Sequence, residues 1–240
     1  MSSESCSSQR ILLIIPCYNE SASIGTLLQE IEECLPTCDT LVVDDGSEDD
    51  TYEIASKSSA CLRLIANLGI GGAVQTGIKY AFRKGYDLCI QVDGDGQHPP
   101  DQVELLTRGF LADRANMVIG SRFIDQTGFR SSRMRRLGIA IIRRSLANLY
   151  GEVITDPTSG FRLMDRRAME LFCAEYPYDF PEPISVGDAL DQSLRVIEVP
   201  VTMRERKAGK SSIGGLKNLS YMFRVIGYLL LKRVGRLMGP

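Results

Sequence analysis

The chain has one histidine, His98, and no C-x-x-C pair among its seven cysteines. It has no run of about 18 apolar residues. A lone histidine with no neighbouring ligand spacing argues against a zinc site. Without a long apolar run, no clear membrane-spanning helix is expected. The first ten residues, MSSESCSSQR, are polar and do not read as a signal peptide. The cysteines (Cys6, Cys17, Cys34, Cys38, Cys61, Cys89, Cys173) form no pattern. Reduced thiols in a cytosolic compartment are therefore expected. There is no G-x-S-x-G elbow, so a Ser-His-Asp hydrolase would have to use His98 in an unsuited turn. The Gly-rich stretch Asn67–Gly72 lacks both the Lys-Ser/Thr ending of a P-loop and the G-x-G-x-x-G spacing. A tight turn with close helix packing is its plainer reading.

What is present is an ordinary globular composition. The 240 residues are 44% hydrophobic and 24% charged, with 22 Gly and 10 Pro. Disorder, collagen and a pure coiled coil are thereby excluded. The net charge of -2 hides an asymmetry. Residues 1–100 carry 6 Lys/Arg against 15 Asp/Glu, and residues 101–240 carry 22 against 15. Arg outnumbers Lys 21 to 7, and its planar fork suits phosphate oxygens. The basic excess lies in 121–150, with seven Arg against one Asp, and in 202–240. Those stretches read either as solvated helices or as a surface facing phosphates of a ligand or bilayer.

Periodicity alternates along the first half. Ile11–Ile15, Thr40–Val43, Cys61–Ile65, Leu88–Val92 and Met117–Ile119 read as strands. Helices are expected over Ser21–Cys34, Asp49–Ser56, Gly72–Arg83 and from Pro99-Pro100 to about Leu111. This rhythm predicts an α/β fold with a mostly parallel central sheet and helices on both faces. The second half predicts a basic helix over Met134–Tyr150 and strands at Phe161–Met164 and Arg195–Val201. It also predicts a loop at Tyr176–Pro183 and an amphipathic helix over Leu216–Met238. Ligands of such sheets sit outside the carboxyl ends of the strands.

Acidic and polar residues gather at those ends. Asp93-Gly94-Asp95 offers two carboxylates one small residue apart, a pair that can hold Mg²⁺ or Mn²⁺ together with substrate phosphates. Gln97 can add a neutral oxygen. The plain alternative is an Asp/Gly turn capping backbone amides. Asp45 can accept from a ribose hydroxyl or base N–H, while Ser47 or Asp49 caps the following helix.

The motifs IPCYNE, VVDDGSEDDT, NLGIGGAVQTG, QVDGDGQHPP, GSRF and DPTSGFRLMDR stand in the order and spacing of family 2 glycosyltransferases. Over about residues 10–213 the chain resembles the dolichol-phosphate mannose synthase and bacterial polyprenyl-phosphate branch. The resemblance implies a glycosyltransferase A fold, Rossmann-like, that binds a nucleotide-sugar and Mg²⁺ or Mn²⁺. Carried over by position, Pro16, Tyr18, Glu20 and Asp45 contact the nucleotide, and Asp93, Asp95 and Gln97 form the metal and diphosphate motif. Arg122 lies near substrate phosphates, and Arg206, Lys210 and Ser211 belong to a basic loop closing over the site. The Q-x-x-R-W motif of processive members is absent, which argues against cellulose- or chitin-type synthesis. The family's trailing membrane helices are not seen either.

The implied reaction is inverting transfer of one sugar from a UDP-sugar, or a GDP-sugar, to a polyprenyl phosphate for cell-envelope glycans. The implied location is peripheral, on the cytoplasmic face of the membrane. Arg122, Arg133, Arg135 and Arg136 are candidates for the acceptor phosphate. A lipid phosphate, with a second pKa of about 6, needs no base. A sugar hydroxyl acceptor would need one, and Asp156 and Glu182 are the candidates; with Asp95 and Arg122 they make up the expected catalytic set. Their plainer readings are a turn cap and a solvated loop carboxylate. Two other functions stand as alternatives: transfer to a growing glycan, and a catalytically silent nucleotide-binding scaffold for a membrane partner. The expected layout is a disordered 1–9, a glycosyltransferase domain over 10–213, and a basic amphipathic helix over 214–240. That helix either packs on the domain or a second copy, or lies in the membrane interface. A homo-oligomer or a small membrane-protein partner is compatible with this layout, and no nucleic-acid partner is expected.

Overall fold

The computed structural model describes residues 9–125, 133–204 and 217–237. Seven strands form one sheet: β1 (Ile11–Cys17), β2 (Asp39–Asp44), β3 (Ala60–Arg63), β4 (Leu88–Gln91), β5 (Met117–Ser121), β6 (Arg162–Asp165) and β7 (Val196–Pro200). The order is β3-β2-β1-β4-β6-β5-β7, and only β6 runs antiparallel to its neighbours. β1 reads ILLIIPC and is buried throughout because both faces of the sheet are covered. Its side chains alternate: Leu12 and Ile14 enter one core, Ile11, Leu13 and Ile15 the other.

The second core lies under α1 (Ile24–Cys34) and α4 (Val103–Asp113). The first lies under α3 (Gly69–Arg83), α5 (Arg133–Tyr150), α6 (Arg166–Ala174), α7 (Pro181–Asp191) and α8 (Lys217–Leu237). The short α2 (Thr51–Ala55) comes after β2. Helices thus cover both faces, as the periodicity predicts. The crevice where strand order reverses lies between β1 and β4, at their carboxyl ends.

Three elements differ from expectation. α3 starts at Gly69, before the expected Gly72. α6 was not legible; Asp165 caps it by accepting the Ala168 N–H at 2.8 Å. Part of the expected loop at Tyr176–Pro183 is the first turn of α7, with Pro181 at its start. Prolines are tolerated there because first-turn N–H groups have no partner within the helix.

The C-terminal helix α8 packs on α5 and α7, burying Met222, Val225 and Leu229. Residues 1–8, Arg206, Lys210 and Ser211 lie outside the described residues, as do the side chains of Arg133 and Arg135.

Candidate active site

The β1 end is tied to the β2 end. Asn19 takes a left-handed φ of 56°. Its N–H donates to Ser47 Oγ at 3.0 Å, and its side-chain oxygen accepts the Glu48 N–H at 2.8 Å. Ser47 therefore serves the β1 loop; it is Asp49 that accepts the Thr51 N–H at the start of α2. The Glu20 N–H donates to Thr51 Oγ1 at 2.8 Å. Pro16 pairs with Val43 at the strand ends, and Tyr18 is exposed beside it. Asp45 is buried and accepts the Leu68 N–H at 2.7 Å, anchoring the Gly-rich loop before α3. Burial pushes its carboxyl up, and the Leu68 and Gly69 amides partly offset this. Gly71 is required by contact. A Cβ there would lie 2.2 Å from the Pro177 carbonyl oxygen, so the glycines serve close packing.

At the end of β4, Asp93 keeps about a third of its side chain exposed, at 34%. One carboxylate oxygen accepts from Gln91 Nε2 at 3.0 Å. The Asp93 N–H donates to Nδ1 of buried His98 at 3.0 Å, which leaves the ring proton on Nε2. His98 stacks on Phe161 at 4.9 Å, a structural role that disposes of the hydrolase reading. Gly94 has no room for a Cβ, which would lie 2.4 Å from Cys17 Sγ. Asp95 accepts the Gln97 N–H at 3.0 Å. Gln97 in turn holds Arg204: its carbonyl accepts the Arg204 N–H at 2.9 Å, and its Nε2 donates to the Arg204 carbonyl at 3.3 Å.

Among the described residues no three His, Cys, Asp or Glu side chains are arranged to hold a metal. Two carboxylates still fit Mg²⁺ or Mn²⁺, because these hard ions keep waters and substrate phosphates as further ligands. The partly exposed Asp93 suits such a shared site.

The turn 156–160 closes the other side. A Cβ on Gly160 would lie 2.8 Å from Gln91 Nε2 and 3.2 Å from both Asp93 carboxylate oxygens. Gly160→Ala is expected to displace the Gln91 and Asp93 side chains and to cost about 1–3 kcal/mol of stability. Calorimetric melting checks this.

Arg122, at the end of β5, is buried in a bidentate pair with Asp156. Nε donates to one oxygen at 2.6 Å and an NH2 to the other at 2.7 Å. The Arg122 backbone N–H adds a third bond at 3.1 Å, and Thr158 Oγ1 accepts at 3.0 Å. Asp156 is fully buried and both its oxygens hold Arg122, an arrangement that orients the guanidinium. Glu198 on β7 grips the same turn, accepting the Thr155 and Asp156 N–H groups at 2.5 and 2.6 Å. Arg162, also fully buried, donates to the carbonyls of Ser159 at 2.7 Å and Pro157 at 2.9 Å.

Glu182 is not a solvated loop carboxylate; it is half-buried in the first turn of α7. Burial pushes its carboxyl up. Arg162 pulls it down, Asp93 raises it further, and Arg122 lowers it. Glu182, Asp93 and Arg122 thus share one electrostatic environment. Arg136 is exposed near the start of α5.

Sequence reading missed Gln91, Gly160, Arg162 and Glu198. The lone carboxylate of Glu198 within the run VIEVP was a usable signal.

A sheet of this order with an Asp-x-Asp at the β4 tip has the glycosyltransferase A fold. Glucosyl-3-phosphoglycerate synthase from Mycobacterium tuberculosis, crystallised with Mn²⁺, UDP and phosphoglyceric acid, superposes with a TM-score of 0.71. The match has 22% identity and covers 95% of this chain and 79% of that one. Residues 12–172 match Glycosyl transferase family 2, and the chain belongs to that family. It is 29% identical to polyprenol monophosphomannose synthase of Mycolicibacterium smegmatis, over 96% of this chain and 91% of that one. It is 32% identical to undecaprenyl-phosphate mannosyltransferase of Micrococcus luteus, over 86% and 88%.

Proposed function

We propose that the protein transfers one sugar, with inversion, from a nucleoside diphosphate sugar to a polyprenyl phosphate. UDP is the nucleotide we favour over GDP. The observation that carries this reading is that Asp93 and the carboxylate-locked Arg122 both border the 156–160 turn, Asp93 against Gly160 and Arg122 against Asp156. The names of the relatives support the acceptor.

Pro16, Tyr18, Glu20 and Asp45 would flank the nucleoside. Asp93, Asp95 and Gln97 would hold the Mg²⁺ or Mn²⁺ ion and the diphosphate, with Arg206 and Lys210 adding charge. When bound, the ion offsets negative charge developing on the leaving diphosphate. Arg122 would add positive charge near the phosphates from a guanidinium that Asp156 and Thr158 immobilise. Arg133, Arg135 and Arg136 would attract the acceptor phosphate to the α5 end. That phosphate is already ionised near neutral pH, so it needs positioning and no base.

The acceptor brings the enzyme to the cytoplasmic membrane face. Among the described residues no helix is long and apolar enough to cross a membrane. α8 exposes Leu230, Leu231 and Val234 while burying its other face, and neither α5 nor α8 contains an Asp or Glu. These features support a peripheral contact through α8.

The raised carboxyl of Glu182 favours one other reading, transfer to a glycan hydroxyl with Glu182 as base. One experiment separates them. A nucleotide-sugar panel is offered undecaprenyl phosphate or a lipid-linked glycan, using wild type and Glu182→Gln. Transfer to the lipid phosphate is expected, with Glu182→Gln within about threefold of wild type. The acid limb should stay at the acceptor's own pKa of about 6. If Glu182 were the base, Glu182→Gln would cost about a hundredfold or more. Activity would also fall as pH drops through a carboxylate midpoint above 4.5, since burial raises it and only the ionised form accepts a proton. Transfer only to the glycan with that profile would overturn the proposal.

A further inference from the structure

α7 runs from the site to α8. Near its start, Ser185 Oγ accepts from Arg162 at 2.7 Å, and the same guanidinium holds the carbonyls of Pro157 and Ser159. The turn carrying Asp156 and Gly160 therefore leans on α7 through one buried arginine. The start of α7 has no side-chain cap. Its N-cap residue Phe180 is left-handed, with φ 55°, and makes no side-chain cap bond.

The far half of α7 is held by α8. Lys232 Nζ lies 2.7 Å from Asp188 Oδ1 and 3.3 Å from Glu175. Arg233 lies 3.0 Å from Asp191, with its guanidinium over the Tyr150 ring. Tyr150 donates to Asp191 at 3.3 Å. The Asp188 and Asp191 side chains are only 7% and 8% exposed, so the carboxylates are desolvated, while Lys232 and Arg233 stay 30% and 33% exposed. The second Asp188 oxygen is buried with no hydrogen-bond partner among the described residues. Removing the ammonium would leave that buried carboxylate uncompensated, so it must either take up a proton or draw α7 outward toward water. The two helices touch closely, since a Cβ on Gly187 would lie 2.4 Å from Leu229 Cδ2. A shift at Asp188 has no slack to absorb it before Ser185, one turn away.

We propose that Lys232 and Arg233 are positioning residues for the active site, acting through α7 and Arg162 on the 156–160 turn that backs Arg122 and Asp93. Two of the basic residues in the tail are then internal fasteners of the catalytic turn. The mechanical link stands on the geometry alone; only its kinetic consequence rests on the proposed transfer.

Hydrogen exchange with mass spectrometry on the full chain tests the link, comparing wild type, Lys232→Met and Lys232→Arg. Lys232→Met should speed exchange about tenfold in 181–187 and in 155–162, with β1, β2 and β4 unchanged. Lys232→Arg should restore the wild-type pattern. Loosening confined to α8 and the last turn of α7 would overturn the proposal, and so would uniform loosening of every strand.

In the transfer assay, Lys232→Met should lower kcat about tenfold at unchanged donor KM, with rescue by Lys232→Arg. Equal kcat despite a loosened turn would refute the catalytic role. Should wild type transfer nothing to undecaprenyl phosphate, the proposed function fails while the exchange result still judges the link.

Discussion

Replacing both Asp93 and Asp95 by alanine should abolish transfer, by about a thousandfold or more, while the folded protein persists. The expectation rests on where the two side chains point their interactions. Asp93 gives its carboxylate to Gln91 and is partly exposed; Asp95 closes a turn on the Gln97 N–H. Alanine keeps the bond from the Asp93 backbone N–H to His98 and loses the carboxylate's looser 3.7 Å contact with His98 Nε2. Loss of stability should therefore be small, shifting the melting temperature by about 2–4 °C for each kcal/mol lost.

Ligand linkage should change far more. UDP with Mn²⁺ at a hundred times its Kd stabilises a protein by about 2.7 kcal/mol, or roughly 5–10 °C for a chain of this size. The double variant should lose that increment and retain only the weaker shift given by UDP in EDTA. A double variant that kept turnover and the Mn²⁺-dependent shift would remove Asp93 and Asp95 from the donor site.

The strand ends were legible because each motif is contiguous. β1, β2, β4 and β5 announce themselves as apolar runs, and the residues just past each run lie at the sheet edge by the geometry of parallel strands. The partners that hold those residues were not legible. Arg122 and Asp156 are 34 residues apart and meet because β6 sits antiparallel between β4 and β5. Glu198 reaches the Thr155 and Asp156 amides only because β7 pairs in parallel with β5, register Ile119 to Glu198. Sequence gives the composition of each strand; the pairing across 40 or so residues is decided by packing of both faces at once. α7 was hidden by Pro181 and Pro183, whose cost vanishes in a first turn. The tail helix was legible as amphipathic, and half of its meaning was not. Its charges at Lys232 and Arg233 face inward to Asp188 and Asp191, which periodicity alone does not reveal.

Asp156→Asn should be the most destabilising single change in the site. The variant keeps shape but removes the charge opposite a guanidinium that is itself buried, and it turns an amide NH2 toward N–H donors. Breaking a buried pair from one side costs about 3–5 kcal/mol, because the other charge stays desolvated. For a chain of this length that is a fall of roughly 6–20 °C in melting temperature. Transfer should fall as well, since Arg122 would lose the geometry that aims it at phosphates.

A second variant separates the two consequences. Arg122→Met in the Asp156→Asn background removes the stranded charge, while the backbone N–H of residue 122 keeps an oxygen to bond. Most of the lost stability should return, because two neutral groups of similar volume no longer oppose burial. Activity should not return, because the positive charge of Arg122 is then missing from the site. Calorimetric melting and the transfer assay, run on wild type and both variants, read the two effects independently. Recovery of both stability and turnover in the double variant would show that Arg122 serves the fold alone. Recovery of stability without turnover assigns its charge to the reaction.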